Sequence, residues 1–122
     1  IQDVMDYLQL TKYADTHPFS LSGGQKQRIQ VALGILSNRK VIIFDEPTSG
    51  LDLSSMRRVA REIQELKKKA CVIVISHDYE FIRYISNRVV YLKDTIVKKD
   101  IPLNTEHLSE FNQIFIEMRD EL

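Results

Sequence analysis

The chain has 122 residues, 43% of them hydrophobic and 28% charged, proportions that suit one soluble globular domain with its own core and argue against two. Its 17 basic and 17 acidic side chains cancel, which excludes a protein-wide basic field for nucleic acid or for an anionic membrane surface. No apolar run approaches the ~20 residues of a bilayer-spanning helix, and Ile1-Gln2-Asp3-Val4-Met5-Asp6 does not resemble a secretory leader, so a soluble, unexported chain is expected.

Ile1, Val4, Met5 and Leu8 fall at helical spacing with no capping residue ahead of them, which reads as an element entered part-way. After the breaker Pro18, Ser20-Leu21-Ser22-Gly23-Gly24 leads into a long helix from Gln25, with Ile29, Ala32, Leu33 and Leu36 as its apolar positions. Val41-Ile42-Ile43-Phe44, halted by Asp45-Glu46-Pro47, has the continuous apolar character of a parallel strand buried on both faces. Asp52 is placed to cap an amphipathic helix marked by Leu53, Met56, Val59, Ala60, Ile63 and Leu66, and Lys67-Lys68-Lys69 suits the negative end of its dipole.

A second apolar run from Cys71 to Ile75 completes a strand, helix, strand crossover, which predicts that the two strands lie parallel. The single cysteine, Cys71, is expected to be a buried, reduced thiol without a chemical role. A short helix around Tyr79 to Ile85 precedes Val89-Val90-Tyr91-Leu92, and Lys93-Asp94 turns the chain into Thr95-Ile96-Val97 as an edge hairpin. Past Pro102, the positions Leu108, Phe111, Phe115, Met118 and Leu122 outline a final amphipathic helix.

Three places carry chemistry. Ser22-Gly23-Gly24-Gln25 has the spacing of a capping box, in which Ser and Gln each satisfy the other's backbone N–H. Two glycines in a first helical turn nevertheless sacrifice helix propensity and leave the N–H groups at the positive dipole end open to an anion such as phosphate. Asp45-Glu46 closes a buried strand at the sheet edge where ligands of open α/β sheets bind. Either it is a solvated acidic turn, or one carboxylate holds Mg²⁺ through water while the other orients the water that attacks a phosphoryl group. His77 leaves the same end of the next strand; a lone histidine is usually structural, but here its imidazole can hydrogen-bond a phosphate oxygen and register the terminal phosphate. His17 and His107 have no such setting and are read as surface or packing residues.

Taken in order, Leu21-Ser22-Gly23-Gly24-Gln25-Lys26-Gln27-Arg28, Val41-Ile42-Ile43-Phe44-Asp45-Glu46-Pro47-Thr48, Ser49-Gly50-Leu51-Asp52 and Ile75-Ser76-His77-Asp78 resemble the signature, Walker B, D-loop and switch-histidine segments of ABC ATPases. The resemblance runs from about His17 to the hairpin and implies an α/β fold: part of the P-loop NTPase architecture, with parallel strands, flanking helices, an edge hairpin and a C-terminal amphipathic helix. It divides residues 1–122 into a helical-subdomain portion with the signature helix (1–38), a core from Walker B to the hairpin (39–100) and a C-terminal helix (101–122). The family's phosphate-gripping G-x-x-x-x-G-K-[ST] loop has no counterpart, since none of Gly23, Gly24, Gly34 and Gly50 precedes a lysine. The chain is therefore expected to be the C-terminal half of such a domain, inactive alone, with exposed edges or apolar faces that favour self-association.

By the same resemblance, Asp45 would hold Mg²⁺, Glu46 would be the general base or water-orienting carboxylate, and His77 would contact the γ-phosphate. Ser49 and Asp52 would form the D-loop, and Ser22, Gly23, Gly24 and Gln25 would meet the γ-phosphate of ATP held by a head-to-tail partner. The implied protein is an ATPase that drives a membrane transporter from the cytoplasmic face, with a second ABC ATPase subunit and an integral membrane subunit as partners and no nucleic acid. Thr16-His17-Pro18-Phe19-Ser20 and Ser49-Gly50-Leu51-Asp52 look most similar to ATPases of energy-coupling-factor importers. Soluble ABC ATPases of ribosomes or DNA are the alternative, disfavoured by neutral charge and compact spacing; a non-catalytic regulatory cassette is another, disfavoured because Glu46 and His77 are both present.

Overall fold

The computed structural model describes residues 1–120, so Leu122, the last position of the expected C-terminal stripe, lies outside the described residues. The elements are α1 (Gln2–Tyr7), two 3₁₀ turns (Thr11–Tyr13 and Pro18–Ser20), α2 (Gly23–Leu36), β1 (Val41–Asp45), α3 (Leu53–Leu66), β2 (Cys71–Ile75), α4 (Tyr79–Ile85), β3 (Arg88–Lys93), β4 (Ile96–Pro102) and α5 (Leu108–Asp120). They form two compact units, residues 1–81 and 82–122, whose boundary falls within α4.

In the first unit, β1 and β2 pair in parallel, with Val41 opposite Cys71 and Asp45 opposite Ile75. The crossover between them is α3, whose Val59, Ala60, Ile63 and Leu66 are buried, as helical spacing requires of a core-facing stripe. Asp52 caps α3 by accepting from the Ser55 N–H at 2.9 Å. Three bonds, from the Ser55 N–H and the hydroxyls of Ser54 and Ser55, favour its carboxylate and pull the acid down to about 2. At the other end of α3, Lys68 pairs with Glu65 at 2.7 Å.

The sheet corrects one expectation. Residues 41, 43 and 45 and their partners 71, 73 and 75 share a face, and all six are exposed, whereas Ile42 and Phe44 on the opposite face are buried. A continuous apolar run cannot distinguish a strand covered on both sides from one covered on a single side. Among the described residues nothing covers the second side, and Cys71, on that side, is exposed rather than buried.

Helix α2 packs against both α3 and β1. Its buried side chains are Val31 and Ala32, while Leu33 is 64% exposed, so the expected stripe through Leu33 and Leu36 is displaced. The reason is that α2 meets β1 through a glycine: a Cβ on Gly34 would lie 2.6 Å from Cε1 of the Phe44 ring. The stripe follows the closest approach of the backbones rather than the largest side chains.

In the second unit, β3 and β4 form an antiparallel hairpin whose central turn residues, Asp94 and Thr95, both take left-handed φ values of 51° and 65°. This is the backbone of a two-residue turn that matches strand twist, obtained here without glycine. Arg88 spans the hairpin to Asp100 with two bonds, Nε to Oδ1 at 2.8 Å and Nη2 to Oδ2 at 2.6 Å. In the turn ahead of helix α5, Asn104 Oδ1 accepts from the N–H groups of Glu106 and His107, and the buried residues of α5 are Phe111 and Ile114. Ile114 therefore joins a stripe that the spacing drew through Leu108, Phe111, Phe115 and Met118.

Candidate functional site

The predicted residues gather into two groups within the first unit. At the carboxyl ends of the paired strands, the Glu46 N–H donates to the Ile75 carbonyl at 2.8 Å, extending the register one step past Asp45. This brings the segment after β1 alongside the segment after β2, and the side chains meet: His77 Nδ1 lies 2.7 Å from Glu46 Oε1, and the Ser76 hydroxyl donates to Glu46 Oε2 at 3.4 Å. The Ser76 oxygen also accepts from the Asp78 N–H at 3.2 Å, and Asp78 in turn caps α4 through the Phe81 N–H at 3.0 Å. A capped helix thus fixes the loop that presents the histidine. With Nδ1 engaged by the carboxylate, His77 has Nε2 left for a further partner, and its side chain is 76% exposed.

Glu46 adopts φ 46°, a left-handed conformation that costs a non-glycine residue roughly 1–3 kcal/mol and needs fixing from outside. Its carbonyl receives that fixing twice, from the Ser49 N–H at 3.1 Å and from the side-chain amide of Gln27 on α2. The Leu51 N–H donates to the Thr48 carbonyl at 3.0 Å, Gly50 takes φ 70°, and Pro47 is fully buried, so the whole turn from Glu46 to Asp52 is tightly determined. Asp45, the neighbour of Glu46, is exposed and borders a second hollow with Gln27, Gly34 and Pro47.

The second group surrounds a cavity of about 420 Å³ lined by Ser22, Gly23, Gly24, Gln25, Arg28, Gly50, Leu51, Asp52 and Ser55. Here the capping box is complete: the Gln25 N–H donates to Ser22 Oγ at 3.3 Å, and the Ser22 N–H donates to Gln25 Oε1 at 2.7 Å. The cap does not remove the case for an anion, because it uses two of the donors that a helix start cannot pair internally and leaves the glycine positions for a ligand. Gly24 sits in close quarters, since a Cβ there would lie 3.3 Å from the Gly50 carbonyl and from Leu51 Cδ2, so either neighbour would have to give by a few tenths of an ångström. A Cβ on Gly23 would meet nothing within 4 Å, so packing does not demand that glycine.

The structure therefore joins Glu46 with His77 and joins Ser22, Gly23, Gly24 and Gln25 with Asp52, but the cavity holds neither Glu46 nor His77. Ser49 sides with the first group through its bond to the Glu46 carbonyl. His17 and His107 act locally, His17 accepting from the Phe19 N–H and His107 approaching Asn104 at 2.8 Å. Among the described residues no three histidine, cysteine or acidic side chains converge as a metal cage. One exposed strand-end carboxylate is nevertheless a donor set that suits Mg²⁺, which keeps several waters and takes the rest of its ligands from phosphates.

Two residues in this region have roles that the sequence left unassigned. Gln27 reaches the Glu46 backbone, and Arg28 lines the cavity, donating from Nη1 to the Leu8 carbonyl at 3.2 Å while its buried Nε has no partner. Helical spacing places Gln27 one turn beyond Gly23 and Gly24, but only the approach of α2 to β1 shows what it touches.

The chain is similar to known proteins. The model of the ABC transporter family matches residues 1–49. A protein of Treponema denticola described as an ABC transporter ATP-binding protein is 48% identical over 102 residues, covering 83% of this chain and 21% of the relative. Over most of its length the chain is similar to ABC transporter ATP-binding proteins. It is also 31% identical over 103 residues to the methionine import ATP-binding protein of Streptococcus pyogenes, covering 83% of the chain and 29% of that protein. A solved ATP-binding cassette, a dimer in a post-hydrolysis state bound to ADP and Pi, superposes with a TM-score of 0.76 at 29% identity, over 84% of this chain and 45% of the cassette. The fold is thus that of an ABC ATPase, α/β with a parallel strand pair and flanking helices. The chain spans about a fifth of the length of the Treponema denticola relatives it matches.

Proposed function

We propose that residues 1–122 carry the signature, Walker B, D-loop and switch-histidine parts of an ATP-hydrolysing subunit that powers a membrane transporter. The observation that carries this reading is the contact of Glu46 with His77 at the carboxyl ends of two adjacent parallel strands, with Asp45 exposed beside them. In this reading Asp45 helps to hold Mg²⁺, which supplies charge neutralisation to the phosphates. Glu46 accepts a hydrogen bond from the attacking water and orients it in line; His77, placed beside Glu46, turns a ring N–H to the γ-phosphate.

The separate cavity supports a composite arrangement. Ser22, Gly23, Gly24 and Gln25 meet the γ-phosphate of ATP held by a second ABC ATPase subunit, and Ser49 and Asp52 line the seam between the two. The phosphate-gripping loop is supplied from outside these residues, so this segment alone neither binds Mg-ATP tightly nor hydrolyses it. Its output is motion: closing and opening of the pair drives an integral membrane subunit from the cytoplasmic face. The finer placement is with energy-coupling-factor importers, supported by the run from Thr16 to Ser20 and by the D-loop sequence. Resemblance to a methionine import protein agrees with the importer direction. Among the described residues no helix is long and apolar enough to cross a membrane.

Calorimetric titration of Mg-ATP into this chain, beside a longer protein that restores the upstream sequence and carries Glu46→Gln to prevent turnover, tests the proposal. Binding is expected only with the longer protein. Tight binding by residues 1–122 alone would overturn the division of the site, and no binding by the longer protein would overturn the ATPase reading itself.

A further inference from the structure

The geometry points to Gln27 as a positioning residue for Glu46, an inference that rests on the reading of Glu46 as the water-orienting carboxylate. Glu46 is the only residue between Val41 and Gly50 other than Gly50 itself to take a left-handed φ, and its side chain leaves that backbone toward His77 and Ser76. Its N–H is anchored on the Ile75 carbonyl, so rotation about its N–Cα bond, which carries the following peptide and the side chain together, is what would swing the carboxylate away. The carbonyl of that peptide is held on one side by the Ser49 N–H, a bond within the same turn, and on the other by the Gln27 side-chain amide, which comes from a different element.

Of these two bonds, the one from Gln27 ties the carboxylate to a rigid body. Gln27 lies within the 14-residue helix α2, which packs on β1 through Gly34 and Phe44, so its amide nitrogen has a fixed place relative to the strand that ends at Asp45. The Ser49 bond moves with the turn that it belongs to. Loss of the Gln27 amide frees the Glu46 peptide to relax toward an ordinary φ, and the carboxylate loses its aim while the nucleotide contacts elsewhere stay intact. A misplacement of about 1 Å at a reacting group is enough to cost on the order of 100-fold in rate.

The test uses the complete ATPase that contains this segment. Gln27→Met, which keeps length and removes the donor, is expected to lower kcat for ATP hydrolysis by about tenfold or more with the KM for Mg-ATP unchanged, because Gln27 positions a group used in the transition state and does not bind the nucleotide. Gln27→His, whose Nε2–H reaches about as far, is expected to recover most of the lost kcat. A merely structural role for Gln27 would lower the melting temperature without this split and without rescue. Wild-type kcat in Gln27→Met, a loss confined to KM, or failure of Gln27→His to recover activity would overturn the inference. Should Gln27→Met lose its helical circular dichroism, Gln27→Glu, which fills the same volume without a donor, carries the same comparison. An inactive wild-type protein would instead tell against the proposed function, so the two failures are separable.

Discussion

Asp52 shows how much a single side chain can be asked to do. It caps α3, lines the cavity at the start of α2, and holds its proton so weakly that the acid is drawn down to about 2 from an ordinary 3.8. A folded-state acid below its unfolded value contributes stability that is complete above the unfolded value and disappears as pH falls through the folded one. Asp52 stabilisation is therefore present at pH 4 and above and fades towards about pH 2. Replacement by Asn, which still caps, removes that titration: denaturant unfolding of Asp52→Asn is expected to show a shallower fall in stability between about pH 4 and pH 2 than the wild type. Equal slopes would mean that the three bonds to Ser54 and Ser55 do not favour the ionised form. Much at this scale was legible in advance, because the caps at Ser22 and Asp52 and the chemistry-bearing residues Asp45, Glu46 and His77 are local patterns. The bonds of Gln27 and Arg28 were not legible, since each depends on where a distant backbone carbonyl ends up.

At the scale of elements, strand and helix placement followed from periodicity, but the choice of buried face did not always. In α3 the apolar residues fall on one side, and Val59, Ala60, Ile63 and Leu66 are buried as their spacing requires; at the first turns Leu53 is exposed, Met56 is half-buried and the buried residue is Ser55. In α2 apolar residues spread over more than half the circumference, and the face that packs was selected by Gly34, the position where Phe44 can come closest. Gly34→Ala forces a Cβ to within 2.6 Å of the Phe44 ring and is expected to destabilise by about 1–3 kcal/mol, the usual cost of overpacking, despite the better helix propensity of alanine. Gly23→Ala meets no such obstacle and is expected to leave stability unchanged or raise it by up to about 1 kcal/mol. Urea unfolding of the two variants distinguishes the cases; equal effects would show that α2 is free to shift away from β1.

For the whole molecule, the feature that matters is the uncovered side of the parallel pair. Val41, Ile43, Ile73 and Ile75 form a contiguous apolar surface with exposures between 46% and 62%, and both outer edges of this two-stranded sheet lack a neighbouring strand among the described residues. Such a surface is a site for association. Residues 1–122 in isolation are expected to self-associate at micromolar concentration in sedimentation velocity, and Ile43→Lys with Ile73→Lys is expected to shift the distribution to monomer. A clean monomer for the unsubstituted chain would remove the argument. The apolar runs themselves were evident in the sequence, but their one-sided burial was not, because a strand's composition records how apolar its surroundings are meant to be and not which neighbour provides them.

The two pairings also differ in how far the chain must travel to make them. Hairpin partners at the β3–β4 turn are separated by two residues, whereas every partner in the β1–β2 register lies thirty positions away, with α3 threaded between. Closing a short hairpin takes microseconds, while a distant parallel pairing bears a much larger loop entropy before any ladder bond repays it. The Glu46–His77 contact therefore rests on a pairing thirty positions apart and is expected to form after the β3–β4 hairpin; pulse-labelling hydrogen exchange during refolding that protects β1 and β2 as early as β3 and β4 would contradict this order.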